Sequence, residues 1–309
     1  MFEKILVPLD GSALAEVALQ TAVSLAQQAQ GKIILLQIPT IHTPVLPSTP
    51  EAVTYNLYAS EYAVDEGMGT SREYLNQIRY GFGRHIEGVQ WQVCVEEGDP
   101  ASVIVDVAQE EKVDLIAMST HGRSGLGRWV MGSVTEKVLR HAPCPVLTVR
   151  SKRPLNKILV TLDGSELAER SIPYALDLAE VVDSEVTLLQ VQTGVSLVDL
   201  EAAATLDAYE HGMGQRYMDG EYEREIVYLE NRWHDCQRKG IKIKTAVREG
   251  KPAQTILEYA RHNQIDLIAM TTHGRTGLRR WRYGSVTEKV LRGTDCAMLI
   301  VRSPEEELK

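Results

Sequence analysis

Apolar positions along the chain fall into short, dense runs separated by longer stretches with helical spacing. Residues Ile5 to Leu9 are an apolar run bounded by charge, as expected for a strand covered on both faces. Asp10-Gly11-Ser12 follows, with Ser12 placed to cap a helix that carries Leu14, Val17, Ala18, Thr21, Ala22 and Leu25 at helical spacing. Gly31 is expected to end that helix before the strand "KIILLQI". "PTIHTPVLPSTP" then holds four prolines and cannot stay regular for long, so the next helix is expected near Ser71, with Leu75, Ile78 and Phe82 facing inward. "VQWQVCVEEG" alternates like a strand nearer an edge, and "DPASVIVDVAQEEK" reads as a helix with Pro100 in its first turn. "DLIAMST", a glycine-bearing loop, a helix from Ser133 and the strand "PVLTVR" complete a run of strands alternating with helices.

The pattern then restarts. "ILVTLDGS" from Ile158 repeats "ILVPLDGS" from Ile5, and "EVTLLQV" repeats "KIILLQI". The longest shared stretch runs from Val113 to Arg150 and again from Ile265 to Arg302. Two domains are therefore expected, at 1–151 and 155–303, joined by a short linker that contains Lys152, Arg153 and Pro154. Each is expected to be an α/β, Rossmann-like, doubly wound domain with a five-stranded parallel sheet of order 3-2-1-4-5 flanked by helices. In the second copy Ile226, Leu229, Trp233 and Cys236 form a stripe that reads as a packing face.

Charge narrows the partners. The formal net charge is −9, from 42 acidic against 33 basic residues, so neither nucleic acid nor an anionic membrane is an expected partner. Four separated cysteines, without Cys-x-x-Cys pairs or His at ligand spacing, read as reduced thiols of a cytoplasmic protein, and no metal site is expected from them. Against this acidic background the glycine loops are basic, with Arg123 and Arg128 in the first copy and Arg275, Arg279, Arg280 and Arg282 in the second.

In such a sheet a ligand binds beyond the carboxyl ends of the strands, where the order reverses. With strands one and four adjacent, the Asp10 turn and the Gly122 loop line one crevice. Gly132 and Ser133, with Val134 and Thr135, open a helix whose N–H groups and dipole suit a polyphosphate. A second reading stays open: Ser133-x-x-Glu136 is also a capping box, which explains the same residues without a ligand. Asp10 and Asp163 could likewise contact a ligand or merely form turns into the helix.

These residues resemble the universal stress protein family, whose nucleotide pattern is Gly, two residues, Gly, nine residues, Gly, then Ser or Thr. Gly122 with Gly132-Ser133, and Gly274 with Gly284-Ser285, follow it, while Ser119 and Thr271 stand where the family has its first glycine. The resemblance covers nearly the whole chain. It implies ATP as ligand, with Mg²⁺, in a regulatory or stress-response module. Base and ribose contacts would fall on Pro8, Asp10 and Ile38, and on Asp163 and Val191, with Thr161 in place of the proline. Phosphate contacts would fall on Gly122, Gly132, Ser133, Val134 and Thr135, and on Gly274, Gly284, Ser285, Val286 and Thr287, and Met118, Ser119, Arg123, Thr271 and Arg275 are counted with the same nucleotide sites. The family also implies that the fifth strands of the two domains pair, making a pseudo-twofold dimer within the chain, with a homodimer of whole chains left open. Two other functions stand beside this one. A slow ATP hydrolase or phosphotransferase is disfavoured by the lack of a G-x-x-x-x-G-K-[ST] loop, and the other is a nucleotide-free interaction protein. The first site is expected to hold adenine with better shape, the second to attract phosphate more strongly.

Overall fold

The computed structural model describes residues 2–39, 50–84, 86–120, 131–150, 153–193, 205–206, 208, 213–237, 240–272 and 284–302; the side chains of 50–65 and 214–222 also lie outside the description. The chain divides into two compact units, Met1–Ser151 and Lys152–Lys309.

In the first unit the strands are β1 (Lys4–Pro8), β2 (Lys32–Gln37), β3 (Gln90–Val95), β4 (Leu115–Ser119) and β5 (Val146–Val149). They pair in parallel in the order β3-β2-β1-β4-β5. Helices α1 (Ala15–Gln28), α2 (Pro50–Gly83), α3 (Pro100–Glu110) and α4 (Ser133–His141) make the crossovers. A parallel sheet needs such crossovers, and they cover both faces. That is why β1, β2 and β4 are almost continuously buried, with Ile5, Leu6, Val7, Ile33, Leu35, Leu115 and Ile116 fully enclosed.

The second unit repeats the arrangement with β6 (Lys157–Leu162), β7 (Glu185–Gln192), β8 (Ile243–Glu249), β9 (Leu267–Thr271) and β10 (Ala297–Val301), in the order β8-β7-β6-β9-β10. Its helices are α5 (Glu166–Glu169), α6 (Ser171–Val182), α7 (Met213–Asp235), α8 (Pro252–His262) and α9 (Ser285–Gly293). Where α1 is one helix, its counterpart is split at Arg170 into α5 and α6. Pro173 accounts for the split: it has no N–H to donate to the carbonyl four residues back, which belongs to Glu169.

Three local expectations change. Helix α2 begins at Pro50, not near Ser71, and runs for 34 residues. Helix α1 begins at Ala15; Ser12 lies ahead of it, and its Oγ accepts from Ala15 N at 3.1 Å. Gly31 is not the left-handed residue that ends α1, because Gln30 takes that conformation at φ 49°. Gly31 is instead required by close approach: a Cβ there would lie 2.3 Å from the Glu3 carbonyl oxygen, which accepts from Lys32 N at 2.6 Å. The same place in the second unit is Ser184, whose hydroxyl donates to Leu155 O.

The insert helices are moored alike in both units. Tyr74 of α2 donates to Glu16 Oε1 on α1 at 2.9 Å, and Tyr228 of α7 donates to Glu169 Oε1 on α5 at 2.8 Å. Arg232 adds an ion pair to Glu169 Oε2 at 3.1 Å in the second unit alone of these two moorings. Burial and the neighbouring Glu169 carboxylate push the Tyr228 phenol well above its usual range, so it stays a donor. The expected stripe on α7 is a packing face: Leu229 and Cys236 are buried, and Trp233 Nε1 donates to Ile243 O at 3.1 Å.

Gly31→Ala is expected to lower stability by about 1–3 kcal/mol, since a methyl group meets backbone that cannot rotate away. An unchanged urea midpoint for this variant would contradict the close approach.

Candidate functional site

The carboxyl ends of β1, β2 and β4 carry residues nominated for the nucleotide site. Their side-chain directions follow from strand alternation and register. Lys4 and Gln92 both reach Glu111, the residue that caps the end of α3. Trp91, one residue along, instead meets Phe82 of α2 with ring centroids 6.5 Å apart. The α3 face of the sheet therefore holds Lys4, Leu6 and Pro8 of β1. Because Pro8 pairs with Leu36, it also holds Leu36 and, just past the strand, Ile38. Leu6 pairs with Ile116, so by strand alternation Met118 lies on the same face as Pro8. Helix α4 packs against α3 and so lies on that side as well. Pro8, Ile38 and Met118 thus form one apolar rim on the face where α4 begins.

Register in the second unit places Thr161, Val191 and Met270 equivalently. Thr161 pairs with Leu189, Val191 pairs with Arg248, and Val160 pairs with Ala269. Arg248 lies over the Tyr259 ring of α8 at 5.3 Å, which identifies this as the α8 face.

The same alternation settles where Ser119 and Thr271 point. Each is the last residue of its strand and buried, and each follows the methionine of the rim, so its side chain faces the opposite side, on which α1 or α6 packs. A side chain in place of the family's glycine leaves the rim on Met118's side unobstructed.

Each nominated helix start is fastened to the end of its strand by two hydrogen bonds. Gly132 N donates to Thr120 O at 2.9 Å, and the buried Thr135 Oγ1 donates to Ser119 O at 3.1 Å. In the second unit Gly284 N donates to Thr272 O at 2.7 Å, and Thr287 Oγ1 donates to Thr271 O at 2.9 Å. The threonine at the third helical position is therefore a strut between helix and strand.

The capping-box reading does not hold. Gly132 and Gly284 are the N-cap residues, in extended conformation and without a side-chain cap bond. That makes Ser133 and Ser285 the first helical residues, both exposed, with their hydroxyls one position too late to cap. Glu136 and Glu288 turn forward along the helix instead, pairing with Arg140 and Arg292. Helix starts of this kind present Ser133, Val134 and Ser285, Val286 backbone N–H groups at the positive end of a dipole.

Asp10 and Asp163 do build turns. Asp10 Oδ1 accepts from Ser12 N at 3.0 Å and from Ser12 Oγ at 2.6 Å, and Asp163 Oδ1 accepts from Ser165 N and Oγ at the same distances. Between them Gly11 and Gly164 sit at φ 79° and 80°, where only glycine is at ease. This turn aims the chain into the following helix and holds one carboxylate oxygen inward. Gly122, Arg123, Gly274 and Arg275 lie outside the described residues, as do the other loop arginines.

The thiols are quiet. Burial, and the carboxylates beside them, push Cys94 and Cys144 up to about 12, so both stay protonated at neutral pH. Among the described residues no group of three His, Cys, Asp or Glu side chains is spaced to hold a metal, and no helix is long and apolar enough to cross a membrane.

Ser133→Ala and Ser285→Ala are each expected to change stability by less than about 0.5 kcal/mol, whereas loss of a true cap costs about 0.5–2 kcal/mol. Chemical denaturation of the two variants distinguishes the cases.

Comparison with known proteins agrees with this architecture. The family model described as the universal stress protein family matches twice, over residues 1–150 and 154–302. The universal stress protein YxiE of Bacillus subtilis is 35% identical over 48% of this chain and 99% of its own length. A universal stress protein of Methanothermobacter thermautotrophicus is 35% identical over 49% of this chain and 97% of its own. Among solved structures, a putative universal stress protein from Pseudomonas aeruginosa superposes with a TM-score of 0.65 at 19% identity, covering 99% of this chain and 95% of that one. One from Archaeoglobus fulgidus superposes at 0.64 and 20% identity, covering 98% and 99%. With the family model matched once in each unit and the fold shared along the whole length, the chain belongs to the universal stress protein family, as a tandem member with two such domains.

Proposed function

We propose that the protein is an ATP-binding regulatory or stress-response module with two nucleotide sites per chain, one at the crevice of each unit. The observation that carries this reading is the helix start that is strutted to its strand yet left without a side-chain cap, in duplicate. A first turn with open N–H groups favours an anion, the dipole contributing about 0.3–2 kcal/mol. The apolar rim of Pro8, Ile38 and Met118, on the same face, suits a flat base. In the second unit Thr161, Val191 and Met270 take those places.

Under this proposal the backbone N–H groups of Ser133 and Val134 hold the phosphates in the first unit and those of Ser285 and Val286 do so in the second, while Gly132 and Gly284, whose own N–H groups are spent on the strut, let the phosphates approach closely. Gly122, Arg123, Gly274 and Arg275 are assigned the same task by family pattern alone. Asp10 and Asp163 orient the ribose with the carboxylate that also shapes the turn. Mg²⁺ would ride on phosphate oxygens and water, a mode that needs few protein ligands. Regulation is favoured over turnover because the sequence lacks a phosphate-loop lysine. Cytoplasmic residence belongs to the same proposal.

The test places a carboxylate at the first helical position. Glutamate there suits the dipole, so Ser133→Glu with Ser285→Glu is expected to keep or slightly raise the melting temperature while weakening ATP binding at least tenfold by calorimetry. Equal ATP affinity in the folded double variant overturns the proposal.

A further inference from the structure

The two units differ beside the residues assigned to the base. Glu96 N donates to Gln37 O at 3.2 Å, which brings Glu96 alongside Ile38 at the end of β2. The register of the second unit puts Arg248 at the equivalent place, paired directly with Val191. The exchange is not a drift of one surface charge. The turn that follows is kept in backbone, with Gly98 at φ 136° and Gly250 at φ 142°, yet two of its three charged positions change sign. Glu96, Glu97 and Asp99 carry three carboxylates in the first unit, and Arg248, Glu249 and Lys251 carry two cations and one carboxylate in the second.

Helix capping shows that the exchange is made against local preference. Asp99 caps α3, accepting from Ser102 N at 3.2 Å, and Ser102 and Lys137 hold its carboxyl below the usual range. Lys251, at the same position of α8, makes no side-chain cap bond and sets a cation at the positive end of the dipole.

Each side chain is also supported for a particular task. Arg248 lies over the Tyr259 ring, where the first unit has Val107, and one of its N–H groups donates to Val247 O at 2.7 Å. A guanidinium has five donors in a planar fork, and the bond to Val247 O uses one of them. Glu96 accepts from the Cys94 thiol at 3.3 Å, and that thiol stays protonated. A carboxylate offers only acceptors, and an arginine only donors.

Purine edges divide along the same line. On the Hoogsteen edge adenine presents an exocyclic amine, which a carboxylate can accept from, whereas guanine presents only O6 and N7 there, which an arginine fork meets in pairs. We propose that the two sites read different bases: the first unit, with Glu96, selects an adenine nucleotide, and the second, with Arg248, selects a guanine nucleotide. The inference rests on the nucleotide-binding reading above and adds base identity to it.

The experiment measures ATP and GTP affinities of the full chain with one helix start blocked at a time. Ser285→Glu leaves the first site and is expected to prefer ATP; Ser133→Glu leaves the second and is expected to prefer GTP, each by at least about fivefold. Arg248→Glu in the Ser133→Glu chain should turn the preference toward ATP, and Arg248→Lys should abolish the GTP preference while retaining triphosphate binding. Glu96→Arg in the Ser285→Glu chain should turn that site toward GTP. The same base preference in both single-site chains, or a ratio indifferent to Arg248→Glu, overturns the base assignment and leaves nucleotide binding standing. If the unmodified chain binds neither triphosphate at millimolar concentration, both proposals fall.

Discussion

A pair of hydrogen bonds from the end of the fourth strand to the start of the next helix is the constraint on which each unit's site depends. The Thr135 hydroxyl and the Gly132 N–H, both satisfied by carbonyls of residues 119 and 120, fix the helix axis relative to the sheet. Thr287 and Gly284 do the same in the second unit. Because this fastening uses the third helical side chain and the N-cap backbone, the intervening N–H groups need no side-chain partner for the helix to hold its place. A buried polar hydroxyl earns its position only if paired, and here the pairing also decides where an anion could dock. The rest of the sheet serves that geometry: apolar β1 and β4 bring the Asp-Gly-Ser turn and the helix start to the same end, and register puts Pro8 and Met118 on one face.

The mooring of the insert helices links the site to the outer layer. Glu16 and Glu169 stand in the first helical turn after the Asp-Gly-Ser turn, and each receives a tyrosine hydroxyl from an insert helix. Hydrogen bonds to a charged acceptor are worth about 1.5–3 kcal/mol, enough to settle how an otherwise amphipathic helix sits. The second unit, in which Pro173 splits the corresponding helix, adds Arg232 to the same carboxylate. Duplication has therefore kept the anchor while letting its surroundings vary.

Much of this was legible in the sequence. Repeated apolar runs gave the number and order of strands, because a parallel sheet covered on both faces leaves little choice of residue. The Asp-Gly-Ser turns could be read as turns because the side chain acts on a neighbour two residues away. What escaped were features set by distant partners or by one-residue phase. The capping box failed because Gly132 takes the N-cap place, and no local composition distinguishes that from Ser133 doing so. The start of α2 was missed because "EAVTYNLYASEYAVDEGMG" has weak periodicity after a proline-rich run. The Tyr–Glu moorings join residues 58 and 59 positions apart, and only comparison of the two copies, where both members recur together, could have disclosed them. Ser119 stands where the family has a glycine, and strand phase turns its side chain to the other face.

The central claim is that each strutted, uncapped helix start is a binding site for a nucleotide's phosphates. Native mass spectrometry of the intact chain with millimolar ATP and GTP tests it most directly. The account predicts adducts of one and two nucleotides, reduced to one by Ser133→Glu or Ser285→Glu and to none by both together. A folded chain that carries no nucleotide, or one whose adducts survive the double substitution, would contradict it.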